Sequence, residues 1–266
     1  MTGESVALDP IAIPTRSRTP FLGFRNVFRK EAMEWLRGRG ALVVGIVSIG
    51  LAVFTTLLPF LQAATAPAGT PPLSRDPTVN VLLGWNGQST AIVALLATMG
   101  LISTERDRGT LAWSLTNPVS PTSIIAGKFA AALLVFGAVG VVVPLAVSVV
   151  VAAFAYGALP DLAVVGRFTV LYLMVPAFFI AVMVAVGAGV KATAGIAAIG
   201  FLVLLAPPLL GAVLPVVNEI SPTSIARWVS ATATGQAAST LTLVGWVLSM
   251  TALAIGGKLV FDRQEF

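Results

Sequence analysis

The chain runs to 266 residues, of which 57% are hydrophobic and 10% charged, whereas soluble domains carry roughly a quarter charged residues. That composition, with a mean hydropathy of +0.95, excludes a soluble fold. The net charge of +5 points to membrane topology rather than nucleic acid, because the basic residues flank apolar segments instead of covering a polar domain. The absence of cysteine and histidine excludes disulfides, thiol nucleophiles, haem ligation through histidine and the usual zinc sets.

In chain order, residues 1–20 hold three prolines and no long apolar core and read as a disordered tail without a cleaved signal. Residues 21–38 form the first expected helix. Phe21, Phe24, Phe28, Ala32, Trp35 and Leu36 fall within one arc of a helical wheel, with Asn26, Lys30, Glu34 and Arg37 opposite. Such a helix lies in the membrane interface; a solvated juxtamembrane helix is the competing reading. Six stretches of spanning length then follow within residues 39–258: 41–62, 85–103, 129–154, 168–190, 192–214 and 241–257. The segment 63–84 reads as a polar loop. The polar start of the second span (Asn86, Gln88, Ser89, Thr90) is expected to face protein or water. Pro144, Pro176, Pro207 and Pro208 lie inside spans and are expected to kink or shape them. Residues 259–266 form a short charged tail.

An even number of spans puts both termini on one side. With that side inside, 13 of the 16 basic residues are internal, leaving Arg75, Arg167 and Arg227 outside; the positive-inside rule therefore assigns both termini and the 104–128 segment to the cytoplasm. None of the ionisable residues lies near the middle of an expected span, so the chain shows no intramembrane proton or sodium relay. Ser48 and Ser148 read as small or back-bonding helix residues rather than nucleophiles.

The most specific stretch is residues 102–128, ISTERDRGTLAWSLTNPVSPTSIIAGK. Glu105, Arg106, Asp107 and Arg108 mark the membrane exit and Gly109 permits a turn. Thr110 or Asn117 can cap short helices, and Ser120 followed by Pro121 is a cap with proline at the first helical position. A short amphipathic helix containing Leu111, Trp113 and Leu115 is expected here, exposed to a soluble partner or serving only as an interfacial connector. The pentapeptide SPTSI at 120–124 recurs at 221–225, which reads as repeated capping chemistry and predicts a helix in the outer loop around Arg227 and Trp228.

These features together resemble the permeases of the ABC-2 type transporter family. The resemblance rests on the interfacial helix, the six spans, and a segment of the form E-x-x-x-G-T-L followed by N-P-V-S and G-K. Here these are Glu105, Gly109, Thr110, Leu111, Asn117, Pro118, Val119, Ser120, Gly127 and Lys128. Within the family the chain is similar to the subgroup of nitrous-oxide-reductase-maturation, sodium and drug exporters, although without Cys or His a copper path has no soft ligands beyond scattered Met. The resemblance implies an all-α membrane protein with an N-terminal elbow helix and a cytoplasmic coupling helix between spans two and three. It implies a non-catalytic permease in the plasma (inner) membrane, acting by alternating access; the substrate stays open, and the apolar, uncharged spans fit an amphiphile such as a lipid, peptide or drug better than a hydrophilic ion. Glu105, Arg106, Asp107, Arg108, Gly109, Thr110, Asn117 and Pro118 would then contact the ATPase. The implied partners are ABC ATPase subunits that bind ATP and Mg, and a second permease copy or homologue. No phosphate loop exists in this chain, since Gly127-Lys128 is followed by Phe129 and Gly257-Lys258 by Leu259. A secondary transporter or channel, and a non-transporting scaffold, are the rival readings.

Overall fold

The computed structural model describes residues 21–65, 76–85, 87–107 and 119–263. Among these there is no strand, and six helical stretches are long and apolar enough to cross a bilayer: Arg39–Gln62, Pro77–Asp107, Pro121–Tyr156, Leu162–Gly189, Thr193–Val213 and Thr240–Asp262. The amphipathic helix Phe24–Arg37 precedes them. The expected tail 1–20 lies outside the described residues.

Local chemistry sets where several helices begin. Asp76, Ser120 and Asp161 each sit in extended backbone, and each side chain accepts a hydrogen bond from a backbone N–H of the turn that follows. These bonds satisfy donors that the helix leaves unpaired. Proline occupies the first turn after Asp76 and Ser120, where its missing N–H costs nothing.

The spans depart from the sequence expectation in their breaks. The second span begins at Pro77 rather than near residue 85, so residues 77–84 are helix and not loop. Its first helix ends at Gly84 and the next begins at Gln88, after Gly87, which adopts φ 88°, a left-handed conformation that a residue with a Cβ rarely takes. The third span runs from Pro121 and contains a π-helical turn, Gly137–Val142, directly before Pro144. That wide turn accommodates the donor that proline lacks. The fourth span is broken at Leu173, three residues before Pro176. Pro207 and Pro208, by contrast, lie within a continuous helix, Thr193–Val213.

The fourth span is the centre of the molecule. It is the most buried of the six and packs against the second, third, fifth and sixth spans through Phe168, Tyr172, Phe178, Phe179, Ile180 and Met183. The first span packs on the outer half of the third. Two polar pairs lie inside this core: Tyr172 donates to Thr90 at 3.0 Å and the Trp85 indole donates to Ser148 at 3.2 Å. At the polar start of the second span Thr90 faces protein while Gln88 is exposed, Asn86 lies outside the described residues, and Ser148 serves as an acceptor for a buried tryptophan rather than back-bonding to its own helix. The fifth and sixth spans are the least buried, leaving their apolar faces to lipid or another chain.

Candidate functional site

Successive spans run antiparallel, so one end of the bundle collects the helix Phe24–Arg37, the end of the second span, the start of the third and the junction of the fourth with the fifth. Ten of the described basic residues lie at this end, and only Arg167 and Arg227 lie toward the other. The last turn of the second span, Ser103–Asp107, stands in the middle of this basic end.

Its attachment to one side is a closed ring of ion pairs. Glu105 accepts from Lys30 at 2.7 Å and pairs with Lys128 at 2.8 Å; Lys128 donates to Glu31 at 2.9 Å; and Glu31 meets Lys30 at 3.2 Å. Four groups of alternating sign thus join the interfacial helix, the second span and the third. Glu31 and Lys128 are 4% and 2% exposed, so each depends on the other for charge compensation. Glu34 adds a looser contact to Lys30 at 3.6 Å. Burial alone would lower the Lys30 ammonium. The hydrogen bond to Glu105 and the charges of Glu31, Glu105 and Glu34 outweigh it and hold the group above the ordinary lysine range.

The ring forms because two helices touch closely. The helix Phe24–Arg37 packs along the start of the third span, and a Cβ placed on Gly127 would meet Val27 Cγ1 at 2.7 Å and the Phe28 backbone nitrogen at 3.3 Å. Only glycine permits that approach. Gly127 brings the helices together and its neighbour Lys128 fills the charge site between them, which gives the G-K dipeptide of the sequence two separate physical roles.

Attachment on the other side runs through the next residue. Arg106 Nη1 donates to the carbonyl of Val190 at 3.2 Å, and Nη2 donates to those of Ala188 and Gly187 at 3.0 and 3.3 Å. These carbonyls end the fourth span, where the backbone has no further helical donors and the dipole favours a cation. Ser103 and Thr193 share a hydroxyl contact of 2.9 Å at the start of the fifth span. Residues 103–106 are therefore bonded to four elements, and adjacent residues pull in different directions.

The carboxylate oxygens of Glu31, Glu34 and Glu105 lie within 4.8 Å of one another. Two lysine ammonium groups stand among them and supply the compensating charge, so the arrangement is an ion-pair ring and not a metal centre. Of the residues expected from sequence, Glu105 and Arg106 are central to the junction and Asp107 is exposed beside it. Arg108, Gly109, Thr110, Asn117 and Pro118, with the expected amphipathic helix around Leu111, Trp113 and Leu115, lie outside the described residues. Sequence reasoning missed Glu31 and treated Lys30 only as part of a polar arc. The available signal was a carboxylate four residues after Val27, at the edge of the apolar face.

A helical bundle of this span count, with no helix pairing that requires water on more than its ends, defines a polytopic membrane protein of the all-α class. Residues 89–266 match the family model described as ABC-2 family transporter protein, and the chain belongs to that family. It is accordingly the membrane-spanning permease subunit type of an ABC transporter, a family generally non-catalytic and normally working with separate ABC ATPase subunits. No curated protein matches the chain.

Proposed function

We propose that the chain is the permease of an ATP-driven exporter of an amphiphilic substrate, and that the Ser103–Asp107 turn is the hinge through which a partner ATPase moves the spans. The supporting observation is the opposite anchoring of two adjacent residues. Glu105 is tied to the interfacial helix and third span, while Arg106 is tied to the end of the fourth. A push on the chain that continues from Asp107 reaches both groups at once. ATP and Mg are held by the partner, and two permease copies complete the membrane unit.

Both termini and the basic end face the cytoplasm in this reading, supported by the placement of 13 of 16 basic residues. Because the chain has no cysteine, Leu159→Cys and Arg263→Cys report topology directly. An impermeant maleimide added to intact cells should label the first and spare the second.

The coupling reading is tested by co-expression with candidate ABC ATPases from neighbouring genes. A Walker-containing ATPase should co-purify, and Arg106→Lys should leave its ATP hydrolysis within about twofold while reducing movement of a fluorescent phospholipid in proteoliposomes at least about tenfold, because an ammonium cannot reproduce a planar three-carbonyl clamp. Loss of neither association nor coupling on changing Glu105 and Arg106 together would overturn it.

A further inference from the structure

A cavity of about 660 Å³ opens between the interfacial helix, the first span and the second span, within the roughly 300–1,000 Å³ typical of ligand sites. Its wall changes character along its length. Arg39, Glu34, Glu105 and Lys128 line the end at the bundle's basic face, and Val43, Val47, Leu96 and Ala97 line the remainder. Arg39 and Val47 are eight residues apart on one helix, which is about 12 Å of rise. One leaflet of hydrocarbon is about 15 Å deep. The cavity therefore passes from charged to apolar over the depth at which a lipid passes from headgroup to acyl chain. Val43, Val47 and Leu96 are 55%, 43% and 48% exposed, so the apolar part opens away from the bundle.

Charge narrows the ligand class. Arg39 and Lys128 line the charged end beside Glu31, Glu34 and Glu105, and Lys30, behind the lining, pairs with those carboxylates. The ring consumes four of them. Arg39 makes no hydrogen bond or ion pair among the described residues, and Glu34 has only its 3.6 Å contact to Lys30. A purely anionic head would face three carboxylates, and a purely cationic one Arg39 and Lys128. A head carrying both signs can place its phosphate at Arg39 and its ammonium at Glu34.

We propose that this cavity binds one zwitterionic phospholipid of the leaflet at the basic end, with an acyl chain along Val43, Val47 and Leu96 and the headgroup between Arg39 and Glu34. The headgroup then rests against Glu105 and Lys128, so occupancy stiffens the same turn that carries the coupling hinge. Binding itself goes beyond the transport reading and is measured without any ATPase, so either can fail alone.

The test uses the full chain, purified in detergent, delipidated and titrated with dioleoyl phosphatidylethanolamine or dioleoyl phosphatidylglycerol, with adducts counted by native mass spectrometry. One phosphatidylethanolamine should be retained with a preference of about fivefold or more, equivalent to about 1 kcal/mol. Ala97→Phe, which fills the apolar wall, should remove that adduct; if this variant does not fold, Val47→Trp at the mouth gives the same readout. Glu34→Gln combined with Arg39→Gln should abolish the preference. Val213→Phe, on a surface 79% exposed and remote from the cavity, should change nothing. Equal retention of both lipids, wild-type retention by Ala97→Phe and Val47→Trp, or disulfide cross-linking of Val47→Cys between two copies would each overturn the proposal, the last by showing that a second copy occupies the slot.

Discussion

The same five residues, SPTSI, begin two helices at opposite ends of the bundle and lead to different structures. At 120–124 the Ser120 side chain accepts from Ser123 N–H at 3.1 Å and an α-helix follows that continues into a 36-residue span. At 221–225 the Ser221 side chain accepts from Thr223 N–H at 3.3 Å, and a single 3-10 turn precedes a nine-residue helix, Ile225–Ala233. Each copy is followed by a cation. Lys128 is buried in the ion ring, whereas Arg227 donates to the Asn218 carbonyl at 3.2 Å and the Ser224 hydroxyl at 2.9 Å, both neutral. Local capping chemistry is thus shared, and what lies beyond the cap decides whether the helix becomes a span and whether its cation becomes a structural pivot.

Four measurements break or sharpen this comparison. Lys128→Met leaves the buried Glu31 carboxylate with only the longer contact to the half-exposed Lys30 and should cost about 3–5 kcal/mol in unfolding free energy measured in detergent. Adding Glu31→Gln should recover a substantial part, and an unchanged double variant would show that the ring is not what the lysine serves. Gly127→Ala should cost about 1–3 kcal/mol, because its new Cβ meets Val27 and the Phe28 backbone. Val27→Ala in the same chain should restore most of the loss, which distinguishes helix separation from a simple change of helix propensity.

The caps come next. Ser120→Ala should cost about 1 kcal/mol, and Ser221→Ala less, because its bond is longer and the structure it starts is one turn rather than a span. Equal losses would mean that the cap acts locally and without regard to context. Smallest is Arg227→Gln, expected within about 0.5 kcal/mol, since among the described residues the cation has no carboxylate partner to abandon. As for pH, Lys30 has a raised folded-state value, so its contribution to stability is present below the unfolded value near 10.4 and is lost only as pH rises through the folded one. The melting midpoint should therefore show no step attributable to Lys30 between about pH 6 and 9, and Lys30→Gln should lower it uniformly across that window.

Much of the fold was legible because a bilayer leaves few choices. An apolar run of about 20 residues must be helical to satisfy its backbone, and the caps at Ser120 and the second SPTSI are read from three or four adjacent residues. The breaks were harder. Pro77–Gly84 looked like loop because its apolar run is short, and its helical state depends on packing against the first and third spans. The π-turn before Pro144 answers a steric problem whose solution is not local. For the site, Glu105 and Arg106 stood out beside the exit of a span, but Glu31 did not. A carboxylate on an amphipathic helix is ordinarily solvated, and nothing adjacent in sequence shows that Lys128, 97 residues away, will meet it.

By itself, then, the sequence determined the number of spans, their alternation, the gathering of positive charge at one end and the cap at Ser120, because each of these follows from hydropathy, topology and contacts within a single turn. Tertiary structure alone decided where spans break, which helix becomes the buried centre, and that Lys30, Glu31, Glu105 and Lys128 close into a ring. Those outcomes require side chains from separate helices to share one low-dielectric space, where the energy of each charge depends on the position of the others.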